Sequence, residues 1–133
     1  MAYKHIGSDF IPPDIFGKVT GQARYAEDFR ADGMVFCRTY CSPMAHARVV
    51  RLDISAAEAM DGVVGILTPD EVPGPDGAAP VILSAEPSYV GEPIVAVAAM
   101  TEQIAEDAIQ KLVVELEPLP FVTDPMDSLH PDG

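Results

Sequence analysis

Short hydrophobic runs separated by proline and glycine organise this chain, and the period of each run predicts its element. Met34 to Cys41, rich in Val, Phe, Thr and Tyr, predicts a strand that ends at a Ser42-Pro43 turn. A second strand is predicted over Ala47 to Ile54, with Val50, Leu52 and Ile54 alternating onto one face. Ser55 followed three residues later by Glu58 predicts a capping box opening a short helix, and Gly62 supplies its left-handed stop. Val63 to Leu67 predicts a third strand. Thr68-Pro69-Asp70-Glu71 then opens a helical turn with proline at its first position, and PGPDGAAP (73–80) is a loop.

A short apolar strand is predicted at Val81 to Leu83, followed by turns at Pro87 and at Gly91-Glu92-Pro93. Ile94 to Met100 has no polar alternation, which predicts a strand covered on both faces. Thr101 caps a helix in which Ile104, Ala105, Ala108, Ile109 and Leu112 recur at helical spacing, while Glu102, Glu106, Asp107 and Lys111 face water. Val113 to Glu117 is the last strand. Residues 1–33 and 118–133 carry no period and read as an extended lead-in and an extended tail. The order β-β-α-β-β-β-α-β predicts an α+β fold, with its body at 34–117 in a single domain.

Composition narrows the class of function. With 133 residues, 48% of them apolar and 22% charged, the chain is long enough for one buried core. Eight Lys and Arg against 21 Asp and Glu give a net charge of −13, a field that disfavours nucleic acid and anionic membrane surfaces as partners. The longest uninterrupted apolar run, Ile94 to Met100, has seven residues, against the ~20 a membrane-spanning helix needs. The first ten residues show no export signal, which makes the cytoplasm the expected compartment.

Candidate chemistry is sparse. Cys37 and Cys41 fall in one predicted strand, where four residues span ~13 Å, beyond the ~7 Å reach of a disulfide, so both are expected as free thiols. With His46 they could be imagined as metal ligands, but no fourth ligand is apparent and buried thiols beside a turn histidine are the favoured reading. An iron-sulfur cluster usually needs four cysteines. No GxGxxG or GxxxxGK loop is present.

His46 sits at the tip of the first hairpin without a nucleophile in a suitable setting, and His5 and His130 lie near the ends. Glu115 and Glu117 alternate onto one strand face ~7 Å apart, a spacing open to an acid and base pair, although a solvated face is favoured in so acidic a chain. Asp70-Glu71 and Asp76-Gly77 do not form a calcium loop. No catalytic, cofactor-binding or metal-binding residue is assigned on these grounds.

Taken in order, several segments resemble a known family. Lys18-Val19-Thr20-Gly21, with Ala23, Tyr25 and Asp28, resembles the K-V-T-G-x-A-x-Y-x-x-D opening of the molybdopterin-binding subunit of the xanthine dehydrogenase and aldehyde oxidase family, the molybdenum hydroxylases. Ser42-Pro43 with Ala45-His46-Ala47 is similar to its S-P-H-A turn, and Asp53 with Ala56 and Ala57 to its I-D-x-x-A-A stretch. Gly62-Val63 with Leu67-Thr68 and Asp70 is similar to G-V-x-x-V-L-T-x-x-D. Gly91-Glu92-Pro93 with Val95-Ala96-Val97 resembles G-E-P-V-A, and Val114-Glu115 with Leu119-Pro120 resembles V-E-Y-E-x-L-P. Two departures stand out. The proline expected directly before the hairpin histidine lies earlier, at Pro43, and Leu116 replaces an aromatic residue.

The resemblance implies an α/β hammerhead fold for this region, ahead of the parts of the subunit that hold molybdopterin. It also implies that the family's molybdenum contacts and catalytic glutamate lie outside this chain, which itself binds no cofactor. The family's complexes carry molybdopterin, two [2Fe-2S] clusters and FAD, and hydroxylate aldehydes or N-heterocycles with oxygen from water. The expected partners are thus a catalytic molybdopterin-binding subunit together with iron-sulfur and flavin subunits, and the chain is a separately encoded or truncated piece with a structural, assembly role. The alternative is a non-enzymatic acidic binding or scaffold module with the same fold.

Overall fold

The computed structural model describes residues 6, 7, 9–72 and 82–129. The chain forms two compact units, Met1–Met34 and Val35–Gly133. The smaller unit contains a five-residue helix, α1 (Ile15–Val19), and a 3-10 turn at Ala26–Asp28. Both interrupt the stretch expected to be extended. The reason is local capping: the Thr20 hydroxyl donates to Phe16 O at 2.6 Å, Gly21 takes φ 71°, and Gln22 and Ala23 both donate to Gly17 O at 2.8 Å. Asp28 closes the next turn, its carboxylate accepting from Tyr25 N at 2.9 Å.

The larger unit holds strands β1 (Phe36–Cys41), β2 (Ala47–Asp53), β3 (Val63–Leu67), β4 (Pro93–Ala99) and β5 (Val113–Pro118). Its helices are α2 (Ser55–Glu58), α3 (Glu102–Ile109) and α4 (Pro125–Ser128), the last a turn within the tail expected to be extended, capped by Asp124 accepting from Met126 N at 2.8 Å. All pairing is antiparallel, in a three-stranded sheet β1-β4-β3 and a two-stranded sheet β2-β5. The class and the succession of elements agree with the sequence reading apart from one strand. Of the predicted strand Val81–Leu83, Val81 lies outside the described residues and Ile82 and Leu83 form a bend. Leu83 is buried as a single anchor, and Ala85 and Pro87 instead accept backbone bonds from Val49 and Ala47 of β2 at 2.9 and 3.0 Å.

Val95, Val97 and Ala99 of β4 are fully buried, as are Ala105 and Ala108 of α3. Val49 and Leu52 of β2 and Leu116 of β5 close the same core from the two-stranded sheet. The expectation that Val50, Leu52 and Ile54 share a face is corrected by a bulge. The β2–β5 register slips between Val49 and Arg51, so Val50 is turned out to 57% exposure, and Val49 and Leu52, three apart, both reach the core. Coverage of β4 on both faces holds in part: Ile94 is fully buried on the second face, but the cover thins along it. On the side away from Val95 and Val97, Ala96 and Ala98 are half-buried, beside Thr39 and Cys37 of β1 and Leu67 and Gly65 of β3.

The expected caps divide. Thr101 Oγ1 accepts from Ile104 N at 3.2 Å, and Thr68 with Glu71 forms a capping box around the Pro69–Glu71 turn. At α2 the predicted Ser55–Glu58 box is absent, because the helix begins one residue earlier and Asp53 Oδ1 accepts from Ser55 N at 3.0 Å. Helix α3 stops at Ile109, leaving Leu112 half-buried just beyond it. Gly62 adopts φ 90°, where a Cβ would stand 2.7 Å from Ile104 Cδ1.

Two outcomes are expected. Gly62→Ala loses about 1 to 3 kcal/mol in denaturant unfolding through its left-handed backbone. The loss is smaller in an Ile104→Val background, which lacks the opposing methyl; equal losses in both backgrounds would assign the whole effect to φ. The Asp53 carboxyl is held below its ordinary value by hydrogen bonds from Ser55 and by the charge of Arg51. Its contribution to stability is therefore present above the ordinary value and lost as pH falls through the lower folded value. Carboxyl NMR titration should place Asp53 below the ordinary aspartate value, with Asp53→Asn flattening the acid limb of stability more than Glu58→Gln.

Candidate functional site

Three of the segments carrying the sequence resemblance, Ser42–His46, Gly91–Pro93 and Leu119–Pro120, meet at the hairpin between β1 and β2. Ser42, 2% exposed, turns its hydroxyl back on the loop, donating to Met44 O at 2.9 Å and accepting from Met44 N at 3.1 Å. Its backbone is paired 50 residues downstream: Ser42 N donates to Glu92 O at 2.9 Å and Gly91 N donates to Ser42 O at 2.8 Å. Gly91 adopts φ 96°, and the Glu92 carboxylate folds back to accept from Ser88 N at 2.6 Å and Ser88 Oγ at 3.1 Å. The Ser42-Pro43 and Gly91-Glu92-Pro93 segments therefore form one double turn.

His46 joins a third segment to this corner. Its carbonyl accepts from Leu119 N at 3.0 Å, and its Nδ1 lies 2.7 Å from Pro120 O. A carbonyl oxygen only accepts, so Nδ1 is the donor. Nε2 stands 3.6 Å from Glu86 Oε1, while Glu86 Oε2 accepts from Arg48 Nε and lies 3.0 Å from Arg48 Nη2. The hydrogen bond from Arg48 is the largest reason the Glu86 carboxyl is held below its ordinary value, with Arg48's charge and His46 adding to it.

The other candidates stand apart from this corner in their bonding. Glu115 is exposed and bound to Arg51 at 3.1 Å, and exposed Glu117 lies opposite Arg48 in the strand register, which makes their shared face a ladder of opposite charges. Glu71 is engaged by Thr68 N and Oγ1, both at 3.0 Å. The two thiols are free, but the expectation of burial is corrected: Cys37 is exposed and Cys41 only partly buried, because they lie on the sheet side that α3 leaves open. His5, His130, Asp76 and Gly77 lie outside the described residues.

Among the described residues, no three His, Cys, Asp or Glu side chains group so as to hold a metal ion. What the corner does chemically is bind its own backbone. Sequence reasoning missed Glu86 and Arg48, which are 38 residues apart and meet only because the 85–87 segment runs along β2. It likewise missed Arg38, which bonds Glu102 and lies 3.8 Å from Glu106 on α3.

Comparison with known proteins agrees with this picture. Residues 20–120 match the family model for the a/b hammerhead domain of aldehyde oxidase and xanthine dehydrogenase. A probable xanthine dehydrogenase subunit of Bacillus subtilis is 37% identical over 131 residues, covering 92% of this chain and 17% of that protein. The nicotinate dehydrogenase large molybdopterin subunit of Eubacterium barkeri is 32% identical over 124 residues, covering 88% and 29%. Among solved structures, quinoline 2-oxidoreductase from Pseudomonas putida 86 superposes with a TM-score of 0.81 at 32% identity, covering 96% of this chain and 18% of that one. The chain thus spans less than a third of the length of these relatives. On its matched segment and its architecture, it belongs to the a/b hammerhead domain family of aldehyde oxidase and xanthine dehydrogenase.

Proposed function

We propose that this chain is the hammerhead portion of a cytoplasmic molybdenum hydroxylase and serves assembly of the complex beside the molybdopterin-binding catalytic part. The observation that carries the reading is the use of the resemblance-bearing polar groups. Ser42, His46, Gly91 and Glu92 are engaged in turns and backbone bonds, as are Thr20 and Asp28 in the smaller unit. Such a set positions chain segments; it does not activate water. In this reading residues 1–33 are a lead-in, 34–117 the hammerhead body and 118–133 a tail. Molybdopterin, the two [2Fe-2S] clusters and FAD belong to the partner parts, and the chain binds none of them itself.

The distribution of charge and exposure supports a partner surface for the lead-in and tail. Of the net −13, residues 1–34 contribute 4 basic and 5 acidic side chains, whereas residues 35–133 contribute 4 and 16. The nearly neutral lead-in exposes Phe10, Ile11, Phe16, Val19 and Phe29, and the tail exposes Phe121, Met126 and Leu129. These exposed apolar side chains are what a partner's surface would cover in this reading.

Reconstitution tests the reading. The purified chain should contain no molybdenum, iron or flavin and oxidise neither aldehydes nor purines; added to its cognate catalytic part it should bind and raise hydroxylase activity. Glu115→Gln should leave reconstituted turnover within about threefold, since Glu115 serves a surface ion pair. Stoichiometric metal in the isolated chain, or a hundredfold loss of turnover in that variant with assembly intact, would reassign the chain as a carrier of chemistry.

A further inference from the structure

We infer that His46 is a positioning residue: its imidazole sets the direction in which the chain leaves the body after β5. Strand β5 runs into Pro118 and Pro120, neither of which has an N–H to donate. Backbone pairing with the β2 side therefore ends at Leu119 N, which donates to His46 O at 3.0 Å. One residue on, the ladder has nothing to offer Pro120, and the side chain of the same His46 takes over by donating Nδ1–H to Pro120 O at 2.7 Å. The ring is steadied from its other edge, where Nε2 faces Glu86, itself fixed by Arg48. One residue thus holds two successive positions of the departing chain, first with its backbone and then with its side chain.

The residues beyond Pro120 give this latch its consequence. Phe121, Val122, Met126 and Leu129 are 58%, 48%, 65% and 78% exposed. Fixing the root of a segment with four exposed apolar side chains narrows the directions in which it can leave the body and so lowers the ordering cost of docking. The docking consequence rests on the assembly role proposed above. The latch rests on geometry alone.

Amide hydrogen exchange on the full chain separates the alternatives, because asparagine can place its side-chain N–H where Nδ1 stands while glutamine's lies nearer the position of Nε2. His46→Gln and His46→Ala should speed exchange at Leu119, whose N–H is bonded to His46 O, by about five- to tenfold, the loss of one hydrogen bond, with β4 amides unchanged as the control for folding. His46→Asn should stay within about twofold of the unmodified chain. The 15N imidazole spectrum of the unmodified chain should show a proton on Nδ1. Equal exchange in all four proteins, or a neutral ring protonated only at Nε2, would overturn the latch. In titration with the catalytic part, the Gln and Ala variants should bind about five- to tenfold more weakly, and Asn should bind as the unmodified chain does. Exchange that keeps the expected order in a chain that fails to bind the catalytic part would support the latch and sink the assembly reading.

Discussion

α3 lies against β4 closely enough to exclude water because the helix presents Ala105 and Ala108 to the sheet, and the larger unit is built around that contact. Both alanines are fully buried, as are Val95, Val97 and Ala99. β4 is also the strand shared by β1 and β3, so its side chains are the ones every other element of the sheet must pack around. Full burial of Ile94, Val95 and Val97 contributes about 1.5 to 3 kcal/mol each, far more than any surface ion pair here. The turn into β3 obeys the same constraint. Gly62 passes near enough to Ile104 that an added methyl would have to displace the end of that side chain.

The acidic surface is arranged around this core without supporting it. Arg38, Arg48 and Arg51 each meet carboxylates on a neighbouring element, and these pairs are about half-exposed. Their value lies in register and solubility more than in stability. Arg48 and Arg51 stand on the two sides of the β2 bulge, so each can face a glutamate, Glu117 in the register and Glu115 by direct contact, although the strand has slipped between them. The bulge also reconciles an apolar need with a polar one, since it lets Val49 and Leu52 reach the core while Val50 turns out.

How far the fold was legible depends on the range of each interaction. Helix α3, its Thr101 cap and the Pro69–Glu71 turn are encoded within a few residues and stand where the local pattern put them. Gly62 is left-handed as expected but sits in the turn closed by Val63 N on Met60 O, beyond the end of α2 at Glu58. Parity along β2 was not legible, because a bulge is a property of two strands and its sign in one sequence is only an apolar residue out of phase. The box at Ser55 failed through competition: Asp53, two residues ahead, offers a carboxylate to the same N–H group. The Val81–Leu83 run misled because Leu83 is apolar for an anchor's reason and no ladder forms at it, while the pairing with β2 occurs at Ala85 and Pro87, residues with little strand character. The candidate site was legible as motifs but not as a place, since nothing local joins Ser42 to Glu92 or His46 to Pro120.

The motif segments can be understood together through proline. Pro43, Pro87, Pro93, Pro118 and Pro120 all lie in the segments bonded at this corner, and each removes one backbone donor where three segments meet. The remaining groups are matched by side chains placed for the purpose: Ser42 Oγ within its own turn, the Glu92 carboxylate on Ser88, and the imidazole of His46 on Pro120 O. A corner built this way is rigid, because proline fixes φ and the side-chain bonds fix what proline cannot pair. The chain that leaves β5 does so from this corner, and the apolar residues after Pro120 are exposed beyond it.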